Sequence, residues 1–254
     1  MGRHVTSAIV LRRNVYGDFD LIVTMLARDH GKQTFIAKSA KKSARRFPGI
    51  LEPFNELDII YRPGRRQGMA ILEEATLSHA FGPIRSDFSK TAYASYWCEC
   101  ISRWVQEGHS QPGLYQLLYF VLSELAVSTV SAAVLHVLFQ MRFIGQEGLQ
   151  PVLTQCSHCK TSIDDVAQNQ FCVDLKRGGV VCHQCPSHGH AGPKLSKGTL
   201  KQLLWIADGD LGKAKRARFT LQALSEATFF LEAFVPFHIG CQPKSLKILK
   251  QIRR

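Results

Sequence analysis

Lys32-Gln33-Thr34-Phe35-Ile36-Ala37-Lys38-Ser39-Ala40-Lys41-Lys42-Ser43-Ala44-Arg45-Arg46 passes from a β-rich segment straight into a cationic loop that Pro48-Gly49 closes. Lys32 to Lys38 reads as a strand around Phe35 and Ile36, entered through the turn His30-Gly31. Upstream, Thr6 to Arg12 alternates weakly around Ala8, Ile9 and Val10, Asn14 to Asp20 with Gly17 reads as a loop, and Leu21 to Ala27 as a second strand. Downstream, Ile50 to Arg62 and Gly68 to Leu77 give two more, on either side of Pro63-Gly64-Arg65-Arg66. Five short strands with a long loop after the third suit a small closed barrel of the OB type. An SH3-like barrel gives a similar pattern, and periodicity alone does not choose between them.

From about Ser86 the apolar period becomes helical. Tyr93, Tyr96, Trp97, Cys100, Ile101, Trp104 and Val105 share one face, and Gly108 to Gly113 breaks the run. Leu114 to Val127 and Ser131 to Ile144, with Ser131 as N-cap, are apolar over much of their circumference and hence buried. Ser196 to Ala207 and Thr220 to Phe234 resume the pattern, and the tail from Pro243 is short, helical and basic. Neither helical half has enough surface to bury its apolar faces alone. The expected fold is α+β: an OB-type barrel at 1–80, a helical domain at 81–150 plus 195–254, and an inserted zinc module at 151–194.

The insert carries Cys156-Ser157-His158-Cys159 and Cys182-His183-Gln184-Cys185, two Cys-x-x-Cys hooks that can place four thiolates around one tetrahedral zinc ion. Gly178-Gly179 supplies a tight turn before the second hook. Four sulfurs leave no open position, so Cys156, Cys159, Cys182 and Cys185 would form a brace rather than a catalytic centre. Unrelated core cysteines or a redox pair are the other readings, and the lack of a surrounding βαβ pattern argues against the second. His158, His183, His188 and His190 flank the hooks, each a possible substitute ligand but read as a spectator. Cys172 is set aside, and Cys98, Cys100 and Cys241 read as core. Eight cysteines without disulfide spacing or a signal peptide fit a reducing cytosol, and no apolar run is long enough for a membrane span.

The net charge is +12, with a cationic surplus of 5 in residues 1–80 and 7 in residues 195–254 about a near-neutral middle. Such asymmetry suits a polyanion, nucleic acid ahead of anionic lipid. Lys38, Lys41, Lys42, Arg45 and Arg46 would stand on a barrel rim, beside Arg12 and Arg13 at the end of the first strand and Arg62, Arg65 and Arg66 at the fourth turn. Phe35, Phe47, Phe54 and Tyr61 offer stacking faces, although core positions explain each as well. Clusters at Lys213, Lys215, Arg216 and Arg218, and at Lys244, Lys247, Lys250, Arg253 and Arg254, extend that track or merely solvate helix ends. There is no phosphate-binding Gly-rich loop, no tight acidic cluster and no deaminase signature, so a non-enzymatic role is expected.

Ile9-Val10-Leu11-Arg12-Arg13, Gly17-Asp18-Phe19-Asp20-Leu21-Ile22-Val23-Thr24, His30-Gly31-Lys32, Ile36-Ala37-Lys38-Ser39-Ala40, Leu51-Glu52-Pro53-Phe54, Gly178-Gly179-Val180-Val181-Cys182 and Pro243-Lys244-Ser245-Leu246 occur in an order that resembles the bacterial RecO family of recombination mediators. The resemblance covers nearly the whole chain. It implies an OB domain, a helical domain and a zinc module in a cytoplasmic, nucleoid-associated protein. It implies binding of single- and double-stranded DNA, strand annealing, and loading of RecA onto DNA coated with single-strand-binding protein, together with RecR and often RecF. It also implies a site in the helical domain for the acidic, apolar tail of that coating protein, with Arg142 as its cation. DNA contact carries over to Arg12, Arg13, Lys38, Lys41, Lys42, Arg45 and Arg46. The family usually has Gly where this chain has Ser39. The alternative is a zinc-ribbon/OB module that binds RNA or assists transcription.

Overall fold

The structure is a computed structural model and describes residues 2–43, 45–64, 68–127, 129–185 and 192–253. Five strands open the chain: β1 (His4–Tyr16), β2 (Asp20–Ala27), β3 (Gly31–Ala37), β4 (Glu56–Arg62) and β5 (Ala70–His79). They close a barrel in the order β1-β2-β3-β5-β4, and only the β3–β5 pairing is parallel. That parallel closure is the OB arrangement and decides between the two barrel types. The two-residue period puts Leu21, Val23, Met25 and Ala27 of β2 inside with Phe35, Leu57, Ile59 and Leu72.

Two strand boundaries differ from expectation. β1 continues through Asn14 to Tyr16, because these residues pair with Ile22 to Asp20 in a hairpin. Its register slips between Val10 and Arg12, so Leu11 is an extra residue, and Arg13 and Val15 stand opposite the inward-facing Val23 and Leu21. Ile50 to Asn55 is not strand. Pro53 has no N–H to pair, Phe54 takes φ +77°, and Asn55 Nδ2 closes the loop onto the Ile50 carbonyl at 2.8 Å. Phe35, Phe47, Phe54 and Tyr61 are all buried, so their rings are core and not stacking platforms.

Residues 1–127 and 247–254 form one compact unit. It adds α1 (Gly82–Arg85), α2 (Phe88–Trp104) and α3 (Pro112–Val127) to the barrel. The connector after α2 lies on the start of β3. Gly108 N–H donates to the Lys32 carbonyl at 3.1 Å, Thr34 Oγ1 to Glu107 at 2.6 Å, and Lys32 Nζ to the Ser102 carbonyl at 2.9 Å. Gly31, at φ +66°, has no room for a side chain, since a Cβ there would come within 1.8 Å of the His109 carbonyl oxygen. Glu56 is buried at the start of β4, accepts from the Tyr115 hydroxyl of α3 and lies 2.6 Å from His79 Nδ1. Burial first, then that carboxylate, pushes the Tyr115 hydroxyl well above its ordinary range, so it remains a donor.

Residues 128–246 form the second unit, with α4 (Ala132–Gln146), β6 (Gln170–Asp174), β7 (Gly179–Val181), β8 (Lys194–Ser196), α5 (Lys197–Ala207), α6 (Leu211–Ala214) and α7 (Leu221–Ile239). Ser131 sits at the N-cap of α4 without a side-chain cap bond, whereas Ser196, Asp210 and Thr220 each cap their helix by accepting a backbone N–H. Thus α7 runs beyond Phe234, through Pro236, until Gly240 ends it at φ +70°. His136 of α4 and Glu232 of α7 meet at 3.0 Å in the core. The basic tail forms α8 (Lys244–Ile252). Among the described residues no helix is long and apolar enough to cross a membrane.

Candidate nucleic-acid interface and metal centre

Each cysteine hook is a tight turn. Cys156 N–H donates to the Thr161 carbonyl at 2.8 Å, Lys160 N–H to the Cys156 carbonyl at 3.0 Å, and Lys160 takes φ +64°. In the second hook Cys185 N–H donates to the Cys182 carbonyl at 3.2 Å. The β6–β7 hairpin brings the hooks together: Gly178 turns it at φ +68°, and Gly179 lets the chain at Val152 approach so closely that a Cβ would lie 2.8 Å from the Val152 carbonyl oxygen. Ser157 N–H then donates to the Val180 carbonyl at 2.7 Å.

The four Sγ atoms all lie within 4.8 Å of one another. Cys156–Cys185 and Cys159–Cys182 are 3.8 and 3.7 Å apart. A tetrahedron with metal–sulfur bonds of about 2.3 Å has edges of about 3.8 Å, so the thiols already have the spacing a zinc-sized ion requires. The Thr161 hydroxyl, then its backbone N–H, holds the Cys159 thiol down to about 6. Burial, then the neighbouring thiols, pushes Cys185 up to about 12. One thiolate thus resists the next, a conflict that a bound dication relieves. Cys172 lies in β6 outside the cluster, and His158 and His183 are not in it either, His183 being bonded to Gln168 Oε1. His188 and His190 lie outside the described residues.

The cationic loop is fixed at its root to the β1–β2 hairpin. Ser39 N–H donates to Asp20 Oδ1 at 2.7 Å, Lys41 N–H to the Phe19 carbonyl at 3.0 Å, and the Lys42 ammonium sits 3.3 Å from the centre of the Phe19 ring. Arg46 Nη2 donates across the loop to the Lys38 carbonyl at 2.8 Å. Lys38, Lys41, Lys42, Arg45 and Arg46 are all exposed, and among the described residues none of the five lies within ion-pair distance of a carboxylate. Arg13 by contrast is 2.9 Å from Glu52, and Arg12 Nε donates to Thr24 Oγ1 at 3.3 Å on the barrel's outer face. Arg62 pairs with Glu73 at 3.3 Å, away from the loop, at the end of β1 that begins with His4. Arg65 and Arg66 lie outside the described residues.

Two family descriptions match most of the chain between them. Residues 1–81 match the description "Recombination protein O N terminal" and residues 85–247 "Recombination protein O C terminal". The chain belongs to the RecO family. A DNA repair protein RecO of Desulfosudis oleivorans is 45% identical over 252 residues, covering 97% of this chain and 96% of the relative. Its counterpart in Desulfatibacillum aliphaticivorans is 43% identical over 250 residues, and that of Bacillus velezensis 28% over 244. Family membership places the protein in DNA repair and recombination.

Within that family frame, one feature beside the cationic loop escaped the sequence reading. Tyr16 and Phe19, at the tip of the β1–β2 hairpin, are 51% and 42% exposed, whereas the rings offered for stacking, Phe35, Phe47, Phe54 and Tyr61, are buried. Their signal was present, since Gly17 between them marks a hairpin tip, where side chains have no core to enter. Arg142, chosen for a partner site on α4, is half-buried, and its Nη2 donates to the Asp208 and Gly209 carbonyls at 2.6 and 2.9 Å.

Proposed function

We propose that this protein is a recombination mediator that binds single- and double-stranded DNA, anneals complementary strands and helps load RecA onto strands coated with single-strand-binding protein, acting with RecR and RecF. The observation that carries the reading is the cationic loop: exposed ammonium and guanidinium groups free of carboxylate partners among the described residues, pinned to a barrel by Asp20 and Phe19. Annealing requires no bond chemistry. Cations screen two phosphate chains so that they approach, and counterion release supplies the affinity. The contacts assigned to DNA are Arg12, Arg13, Lys38, Lys41, Lys42, Arg45 and Arg46, together with Arg65 and Arg66, which lie outside the described residues.

Family kinship and the thiol spacing support a structural zinc at Cys156, Cys159, Cys182 and Cys185, which stiffens the hairpin and performs no catalysis. For the acidic tail of the coating protein, Arg142 is the proposed cation. Its Nε is buried without a hydrogen-bond partner among the described residues, a donor that a carboxylate would satisfy. We further propose that the barrel (1–80), the helices (81–150 plus 195–254) and the zinc insert (151–194) divide these tasks within a cytoplasmic protein. The deciding experiment is annealing of complementary oligonucleotides coated with single-strand-binding protein, with and without its C-terminal tail. Acceleration that requires the tail is expected, and no acceleration in either case overturns the reading.

A further inference from the structure

The last five residues of β1 have an open side. β4 accompanies β1 only from His4 to Ile9, and the loop before β4 adds two bonds at Val10: its N–H to the Asn55 carbonyl at 2.9 Å and its carbonyl from Phe54 N–H at 2.8 Å. Beyond the Leu11 bulge, Arg12 to Tyr16 pair with β2 alone among the described residues. The bulge also sets which side chains look along the barrel axis there, so Arg13 and Val15 continue the inward row past the point where the barrel closes. The cationic loop curls back opposite this strand and leaves a groove of about 600 Å³ between them.

The groove has a distinctive chemistry. Val15, Leu21, Phe47 and Leu51 give it apolar walls, and Arg13, Lys41 and Lys42 stand on its rim. The volume falls within the range of about 300–1,000 Å³ that holds small molecules. An apolar slot bounded by cations suits a flat, weakly polar ring carried on an anionic chain. Its strand edge offers backbone N–H and C=O groups of the kind that pair with a base edge. An acidic, aromatic peptide shares the charge and the ring. The cations are strung along a loop and a strand instead of converging on one terminal carboxylate, which favours a chain of phosphates.

We propose that this groove is a pocket for one unpaired nucleobase of a single strand, with its flanking phosphates on Arg13, Lys41 and Lys42. The inference rests on the DNA-binding reading above and narrows it: at this site the preferred form is an unpaired strand, because a base inside a duplex is stacked and cannot enter. Paired bases leave the groove empty and engage the cations alone.

The test compares a short oligothymidylate with a strand of equal phosphate number whose sugars carry no bases, each titrated at several salt concentrations against wild type and Val15→Trp. Val15 is 64% exposed, so an indole there fills the groove without entering the core, and matched thermal melts verify the fold. Wild type should hold the base-bearing strand at least about fivefold more tightly than the abasic one. Val15→Trp should remove most of that preference and keep the salt slope. Equal affinity for both strands in wild type, or a preference that survives Val15→Trp, overturns the pocket while leaving phosphate binding intact. So does an acidic, aromatic peptide that binds wild type but not Val15→Trp while base preference is the same in both. Absence of any salt-dependent binding instead removes the DNA-binding reading on which the pocket depends.

Discussion

Ser39 donates its backbone N–H to Asp20 Oδ1 at 2.7 Å while its own φ is +54°, a left-handed conformation in which only glycine is at ease. The carboxylate of the β1–β2 hairpin therefore holds the root of the cationic loop in a turn that the serine side chain resists. Ser39→Gly is expected to stabilise the first unit by about 0.5–1 kcal/mol, read as a higher midpoint in denaturant. Asp20→Ala should destabilise it by about 1 kcal/mol and weaken DNA binding without changing the salt slope, since no cation is lost.

Reversing charge in the same loop should act on the slope. Lys41→Glu combined with Arg45→Glu removes two phosphate contacts, and each contact contributes about 0.7 to the logarithmic salt dependence on a single strand. The expected result is weaker binding and a slope shallower by about 1.4, measured by fluorescence anisotropy across a salt series. An unchanged slope would place the footprint elsewhere on the protein.

The barrel was legible because its interior obeys the two-residue period: Leu21, Val23, Met25 and Ala27 alternate with residues that face outward. The zinc-type site was legible because two hooks and a Gly-Gly turn form a local pattern that survives whatever surrounds it. What was not legible depends on a single insertion or on distant partners. The Leu11 bulge carries no composition signal, yet it turns Arg13 and Val15 toward the barrel mouth. Phe54 reads as a strand residue until its φ of +77° is known to turn the chain out of regular strand there. Arg142 reads as a free cation, and only the fold brings Asp208 and Gly209 carbonyls onto it. Burial decided the aromatics: period alone cannot distinguish Phe35 on the inside of a barrel from a ring on its surface.

Gly31 gives a sharp steric test of how the helices are joined to the barrel. A methyl group there would meet the His109 carbonyl oxygen at 1.8 Å, and the residue's φ of +66° adds strain for any side chain. Gly31→Ala should cost roughly 3 kcal/mol, because the opposing atom is backbone and cannot swing aside. Chemical denaturation measures this. The loss should be confined to residues 1–127 and 247–254, so amide exchange in α7 should be unaffected.

Metal removal should affect the second unit selectively. Purified protein is expected to hold one zinc per chain, and a strong chelator should expose amides of β6 and β7 to exchange while those of β1 to β5 keep their protection. Cys159→Ser should reproduce the effect, since three thiols leave one corner of the tetrahedron without a strong ligand. Oligonucleotide affinity of the barrel should remain, which separates a brace from a DNA contact.

Glu226 gives that unit an acid-sensitive fastening. Its Oε2 accepts from Ser196 N–H at 2.8 Å and from the Thr199 hydroxyl at 2.6 Å, tying the end of β8 and the start of α5 to α7, while Oε1 accepts from Gln222 at 2.8 Å. Burial raises its carboxyl, but bonds from Thr199, Ser196 and Gln222 outweigh burial and hold it below the ordinary glutamate range. A folded pKa below the unfolded value of about 4.3 means that the contribution is complete well above that pH and fades as pH falls through the folded value. Glu226→Gln should therefore lower stability by about 1 kcal/mol at neutral pH, a figure already reduced for partial solvent access. The gap between wild type and variant should close progressively below about pH 4, when the wild-type carboxyl is protonated and the two side chains become alike. Denaturation midpoints at a series of pH values measure the gap. A difference that stays constant down to pH 3 would mean that shape rather than charge holds β8 to α7.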